Sequence, residues 1–257
     1  MRPIETPHGR LYLRESRKPR DDKPVALLVH GSGGEAAIWA PVLDRFEQVH
    51  PIAIDMPGHG ESTGVFCGSA EEAAGVVDAV RAALGLDSVV VVGQSLGGAV
   101  AQTYARRHAA YCSAAVVASS GCTFNIDPAR LALIDSDWPA CIEHYARGQI
   151  SERASPELLD EARRQVARRN PAAMKADLMA CARFDSRTWV GEIAPPVLIV
   201  SAYEDRLTPF ATVLPLLDGA PKAEMTLLSP GGHALMLEHP ARFAAAIDSF
   251  LEQIGQS

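Results

Sequence analysis

The chain has 257 residues, 47% of them apolar, and a formal charge of −7 at pH 7. That length suits one large α/β domain with an insertion, and the apolar share supplies a substantial core. The acidic balance excludes a general nucleic-acid surface, because no basic excess exists to release counterions from phosphate.

Met1 to Thr6 lacks the long apolar stretch of a secretory signal, and no apolar run reaches membrane-spanning length. The charged cluster from Arg14 to Lys23 predicts a solvated turn in an N-terminal hairpin. Strands and helices then alternate: strand 25–30, helix near 36–48, strand 51–54, helix 70–84, strand 88–92, helix 96–108 and strand 114–118. This alternation specifies a mostly parallel sheet with helices on both faces.

Residues 121–194 break the pattern. They read as helical, with turn signals at Pro128, Pro139, Pro156 and Pro171 and apolar spacings such as Leu158, Ala162 and Val166. The expected organisation is an α/β core of 1–120 and 195–257 with a helical cap, 121–194, inserted in it. Strands resume at 196–200 and 223–228, and a last helix carries Phe243, Ile247, Phe250, Leu251 and Ile254 on one face. Phe124, Trp138, Tyr145 and Trp189 of the insertion, with Trp39 and Met236, are candidates to line a roofed site, although for each alone packing is the stronger reading. Arg163, Arg164, Arg168 and Arg169 are read as a solvated helix face; turned inward, they would favour an acidic substrate or a CoA-like thioester.

Chemistry concentrates in Gly93-Gln94-Ser95-Leu96-Gly97, which follows the apolar run 88–92 and opens an amphipathic helix. In that context G-x-S-x-G is a nucleophile elbow: a serine hydroxyl is a weak nucleophile and must be held where a base can reach it. An acid and a histidine should follow in that order. Asp205, with Glu204 behind it, lies in a turn after the run 196–200, and His233 follows the paired glycines 231 and 232. His30 and His59 are read as structural, His239 as the entry to the last helix, and His8, His50, His108 and His144 carry no partner signal.

These residues resemble the α/β-hydrolase superfamily over nearly the whole chain. The matching segments are Val29-His30-Gly31-Ser32-Gly33-Gly34, Asp55-Met56-Pro57-Gly58-His59-Gly60-Glu61-Ser62, the elbow, the acid turn and the Gly-His segment. The resemblance implies the α/β-hydrolase fold, a Ser95-His233-Asp205 triad, and an oxyanion hole made by the backbone amides of Ser32 and Leu96. An acid following strand 114–118 is the family's other option, but Ser119-Ser120-Gly121 holds no carboxylate.

The expected protein is therefore a serine hydrolase that cleaves a small or medium carboxylic ester, lactone or thioester without cofactor or metal. Its partner is a small-molecule substrate, with neither nucleic acid nor membrane involved. The same motifs serve carbon–carbon bond hydrolases, lyases and cofactor-free perhydrolases, and a ligand receptor on this scaffold forms a separate class. Relatives with an aspartate nucleophile are disfavoured by Ser95. Five cysteines without a C-x-x-C pair fit a reducing, cytoplasmic compartment.

Overall fold

A computed structural model describes residues 1–256. The chain opens with a hairpin of β1 (Arg2–Thr6) and β2 (Gly9–Glu15), followed by β3 (Val25–Val29). The hairpin turn lies at Pro7 and His8, so the charged cluster from Arg14 to Lys23 is not that turn. It spans the end of β2 and the connection to β3, where Ser16 Oγ and the Arg17 amide both donate to Asp44 at 2.8 Å.

A short 3-10 turn, Ala36–Trp39, runs into α1 (Ala40–Leu43), and the chain then turns toward β4 (His50–Ile54). The helix expected near 36–48 thus stops early. Asp248 accepts from the Glu47 and Gln48 amides, both at 2.9 Å, giving these donors a partner outside any helix. α2 (Ala70–Ala83) leads to β5 (Val89–Gln94), α3 (Leu96–Arg107) and β6 (Cys112–Ala118).

Four helices follow: α4 (Pro128–Ser136), α5 (Trp138–Gln149), α6 (Pro156–Ala167) and α7 (Pro171–Arg183). All four prolines expected as turn signals stand in a first helical turn, where the missing N–H costs no intrahelical bond. A bridge between Thr123 and Asp185 joins the two chain segments that flank these helices. Val190 and Ile193, beyond the bridge, bury on the sheet rather than among α4 to α7.

The chain then returns through β7 (Val197–Ser201), α8 (Leu214–Gly219), β8 (Ala223–Leu227), α9 (Leu235–Glu238) and α10 (Pro240–Gly255). The eight strands form one sheet in the order β1-β2-β4-β3-β5-β6-β7-β8. β2 pairs antiparallel with both β1 and β4; the remaining pairings are parallel.

Side-chain alternation along the central strands builds two cores. Leu27, Val91, Val117 and Ile199 face Val77, Val80 and Tyr104 of α2 and α3, while Leu28, Val92, Val116 and Val200 face Trp39, Phe243 and Phe250. A third cluster, including Cys141, Ala146, Ala162 and Val166, lies inside the four-helix insertion. Parallel pairing brings the carboxyl ends of β3, β5, β6, β7 and β8 to one edge, the edge where open α/β sheets bind ligands. Among the described residues no helix is long and apolar enough to cross a membrane.

Candidate active site

β5 ends at Gln94, and Ser95 turns the chain into α3 with φ 57° and ψ −120°, a strained conformation for a residue with a side chain. The turn is held by the Ser95 amide donating to Ala118 O at 2.9 Å and by Gly98 N donating to Ser95 O at 2.8 Å. Its tightness explains the flanking glycines. A Cβ on Gly93 would sit 1.8 Å from Gly97 O, and one on Gly97 would sit 2.2 Å from Val29 O. Ser95 occupies the position where a side chain normally caps a helix, yet its hydroxyl makes no capping bond.

The loops after β7 and β8 bring the expected acid and histidine together. Asp205 Oδ2 lies 2.9 Å and Oδ1 3.1 Å from His233 Nδ1, and both residues are buried. Asp205 Oδ1 also accepts from the Leu207 and Thr208 amides at 2.9 and 2.8 Å, which fixes the carboxylate plane. Glu204 points elsewhere, accepting from Ser151 Oγ and lying 3.7 Å from Arg153. His233 and Ser95 line one cleft; among the described residues no hydrogen bond joins their side chains.

Several supports of this histidine have no signature in the sequence. His233 N and Ala234 N both donate to Gln149 O at the end of α5, at 2.9 and 2.6 Å, and Gln94 Nε2 donates to His233 O at 3.2 Å. The Glu238 carboxylate accepts from Gly232 N at 2.7 Å and from Ser151 N at 2.9 Å. Burial raises the Glu238 pKa against the lowering effect of those two amides.

The loop after β3 forms another wall. Ser32 lines the cleft, and among the described residues no hydrogen bond engages its amide; the Leu96 amide, first in α3, has no intrahelical acceptor. The Leu96 side chain points away, into a cluster with Ala180 and Phe184. Gly33 N donates at 2.8 Å to Asp177 Oδ2, and the same oxygen lies 3.0 Å from His59 Nε2. His59 Nδ1 donates to Pro57 O at 3.0 Å, so both ring nitrogens act as donors, the pattern of an imidazolium. Burial opposes that charge, but Asp177 and the Pro57 carbonyl outweigh it and raise the His59 pKa.

His30, whose ring centroid is 4.8 Å from that of His59, is tuned the other way. Its Nδ1 donates to Gly31 O at 2.8 Å while Nε2 accepts from Met56 N at 3.2 Å, which defines a neutral ring. Burial first, and the neighbouring His59 second, push its pKa down to about 3. Both histidines therefore act as structural residues of their loops. His239 stands at the start of α10, and His50, without a sequence signal, accepts from Arg20 N at 3.1 Å.

The cleft encloses about 630 Å3 with its open mouth included. Of the aromatics read as candidates for packing or lining, Phe124 and Tyr145 line it, whereas Trp39 and Met236 belong to the sheet core. Trp189 packs beneath Arg106, and Trp138 packs within the insertion. The four arginines expected on one solvated face divide. Arg163 and Arg164 pair with Glu143 and Glu161 at 2.7 and 2.9 Å, Arg168 lies 3.7 Å from Glu35, and Arg169 lines the cleft.

The chain is similar to a pimeloyl-[acyl-carrier protein] methyl ester esterase of Vibrio vulnificus, with 28% identity over 245 residues covering 88% of this chain and 94% of that protein. A thermophilic esterase of known structure superposes with a TM-score of 0.85 at 27% identity, covering 99% of this chain and 98% of the other. The enol-lactonase of Burkholderia xenovorans LB400 shares the fold, with a TM-score of 0.89 at 18% identity over 98% of this chain and all of that one. Residues 26–246 match the model of the alpha/beta hydrolase family, and the chain belongs to that family.

Proposed function

We propose that the protein is a serine hydrolase that cleaves a small or medium carboxylic ester, lactone or thioester through Ser95, His233 and Asp205. The observation that carries this reading is the Asp205 carboxylate 2.9 Å from His233 Nδ1, on a histidine that shares a cleft with a strained elbow serine. The ester-cleaving names of the relatives support the same class of bond.

In the proposed cycle His233 Nε2 takes the Ser95 proton as Oγ attacks the substrate carbonyl. Asp205 keeps the remaining proton on Nδ1 and stabilises the imidazolium that forms. The tetrahedral oxyanion lies against the Ser32 and Leu96 amides, two donors with no competing acceptor among the described residues. His233 then protonates the leaving group and, in the second half-reaction, removes a proton from the water that attacks the acyl enzyme. Helices α4 to α7 act as the cap that roofs this cleft. Five free thiols support a reducing, cytoplasmic setting, and the net charge supports a small-molecule partner rather than a nucleic acid.

The test is hydrolysis of p-nitrophenyl esters of increasing acyl length by the wild-type chain and by Ser95→Ala. The expected result is turnover that peaks at one length and falls by roughly a thousandfold or more in the variant, with folding unchanged. Equal slow rates in both proteins would overturn the reading.

A further inference from the structure

Arg169 is the one cationic side chain of the cleft wall with no carboxylate partner among the described residues. Arg130, also on the wall, has Asp127 at 3.9 Å. The carboxylates nearest to acting on Arg169 are engaged elsewhere: Asp177 with His59 at 3.0 Å and Glu35 with Arg168 at 3.7 Å. Its hydrogen bond is to a carbonyl, with Nη1 donating to Ser32 O at 3.1 Å. Most of a five-donor fork thus lacks a protein acceptor.

A second unpartnered group lies on the same wall. Tyr145 is 7% exposed, its hydroxyl forms no hydrogen bond among the described residues, and its ring packs edge-on against His144. Burial pushes the phenol up to about 12, so at neutral pH it is a donor, and Arg169, lowered by burial to about 10, remains charged. Both groups open to the cleft rather than being sealed in the interior, and an unpaired, partly buried cation costs free energy unless something completes it.

We infer that the substrate carries a carboxylate, separate from the bond that is cleaved, and that Arg169 and Tyr145 bind it on the cleft wall beside the Ser32 loop. A carboxylate is planar and accepts two parallel bonds from a guanidinium, and the phenol supplies a further donor to a remaining lone pair. The inference rests on the serine-hydrolase reading for the reaction at Ser95, while the anion site stands on its own geometry. It makes Arg169 and Tyr145 specificity-determining residues that take no part in proton transfer.

The experiment compares the monomethyl esters of succinic, glutaric and adipic acid with their neutral half-amide isosteres, following methanol release. The wild-type chain is expected to prefer at least one acid over its amide. In Arg169→Met the acid-over-amide ratio of kcat/KM falls by about tenfold or more, with a smaller fall in Tyr145→Phe and partial recovery in Arg169→Lys. Titration of glutarate and adipate into the Ser95→Ala chain gives a readout free of turnover. Binding there that disappears in Ser95→Ala/Arg169→Met supports the anion site even if no ester is cleaved. Cleavage of neutral esters with no acid preference, or an unchanged ratio in Arg169→Met, overturns it and leaves the serine-hydrolase reading intact.

Discussion

The sheet core and the four-helix insertion are stabilised in different ways. α1, α3, α8, α9 and α10 have no side-chain cap, and only α2 among the helices packed on the sheet has one, from Ser69. Each insertion helix has one: Asp127, Asp137, Ser155 and Asn170 accept from first-turn amides, with a proline at the first or second position of each helix. Helices laid on a sheet are held by burial of an apolar face. Helices without a sheet beneath them depend more on local signals. The groups proposed for bond cleavage stand mainly on the first kind of support, with the His233 loop tied also to the end of α5, and the cleft wall proposed to meet the substrate stands largely on the second.

That division orders the effects expected from substitution. Asp205→Asn cuts into the rigid half and should be the most severe, lowering kcat by roughly a thousandfold. An amide nitrogen facing Nδ1 favours the tautomer with its proton on Nε2, which cannot accept from Ser95. The two backbone amides now bound by Asp205 Oδ1 can be served by the asparagine oxygen, so the melting temperature should change little. A kcat within tenfold of wild type would show that another group orients His233.

Asp177→Asn acts across the boundary between the two regions, because Asp177 on α7 holds both Gly33 N and His59. An amide retains one acceptor and loses the charge, so kcat/KM should fall by about tenfold and stability by about 1–3 kcal/mol. The histidine pair also predicts a pH window. His59 has a raised folded pKa, so its contribution to stability is fully present below the ordinary value of 6.5 and is lost as pH rises through the folded pKa. His30, folded as a neutral ring with a pKa near 3, takes up its proton first in the unfolded chain, so stability is lost as pH falls from 6.5 toward 3. Urea denaturation at pH values on both sides of the ordinary histidine value should give a dome. His59→Gln should flatten its alkaline side; an unaltered alkaline side would mean that His59 is neutral in the folded chain.

Legibility in the sequence follows the same boundary. Ser95, Asp205 and His233 stand out as candidates because each follows an apolar strand run at one sheet edge, and the elbow glycines are dictated by contacts with nearby backbone. Asp177 meets Gly33 across 144 positions, and Arg169 meets Ser32 across 137, so no local spacing announces either contact. Arg169 looks like its neighbours 163, 164 and 168, and only the direction of the chain after α6 turns it inward. The helix near 36–48 is overextended for a similar reason: the acceptor that holds its far end, Asp248, lies about 200 residues away.

The smallest effect gives the sharpest test of the comparison, because the same chemical cut can be made in both regions. Ser69 Oγ accepts from Glu72 N at 3.2 Å to cap α2, and Asn170 Oδ1 accepts from Ala172 N at 2.9 Å to cap α7. Replacing either by alanine should cost about 1 kcal/mol of stability. Their consequences for substrate should differ. α2 lies against α3 and the sheet, where loss of one cap leaves Val76, Val77 and Val80 buried and the cleft untouched. α7 carries Met174, Leu178 and Cys181 on the cleft wall and Asp177 against the Ser32 loop. Fraying its first turn loosens that wall, so Asn170→Ala should raise KM about two- to threefold at nearly unchanged kcat, while Ser69→Ala leaves both within error. Equal KM values in the two variants, at equal loss of stability, would mean that the insertion presents its wall as rigidly as the sheet presents Ser95.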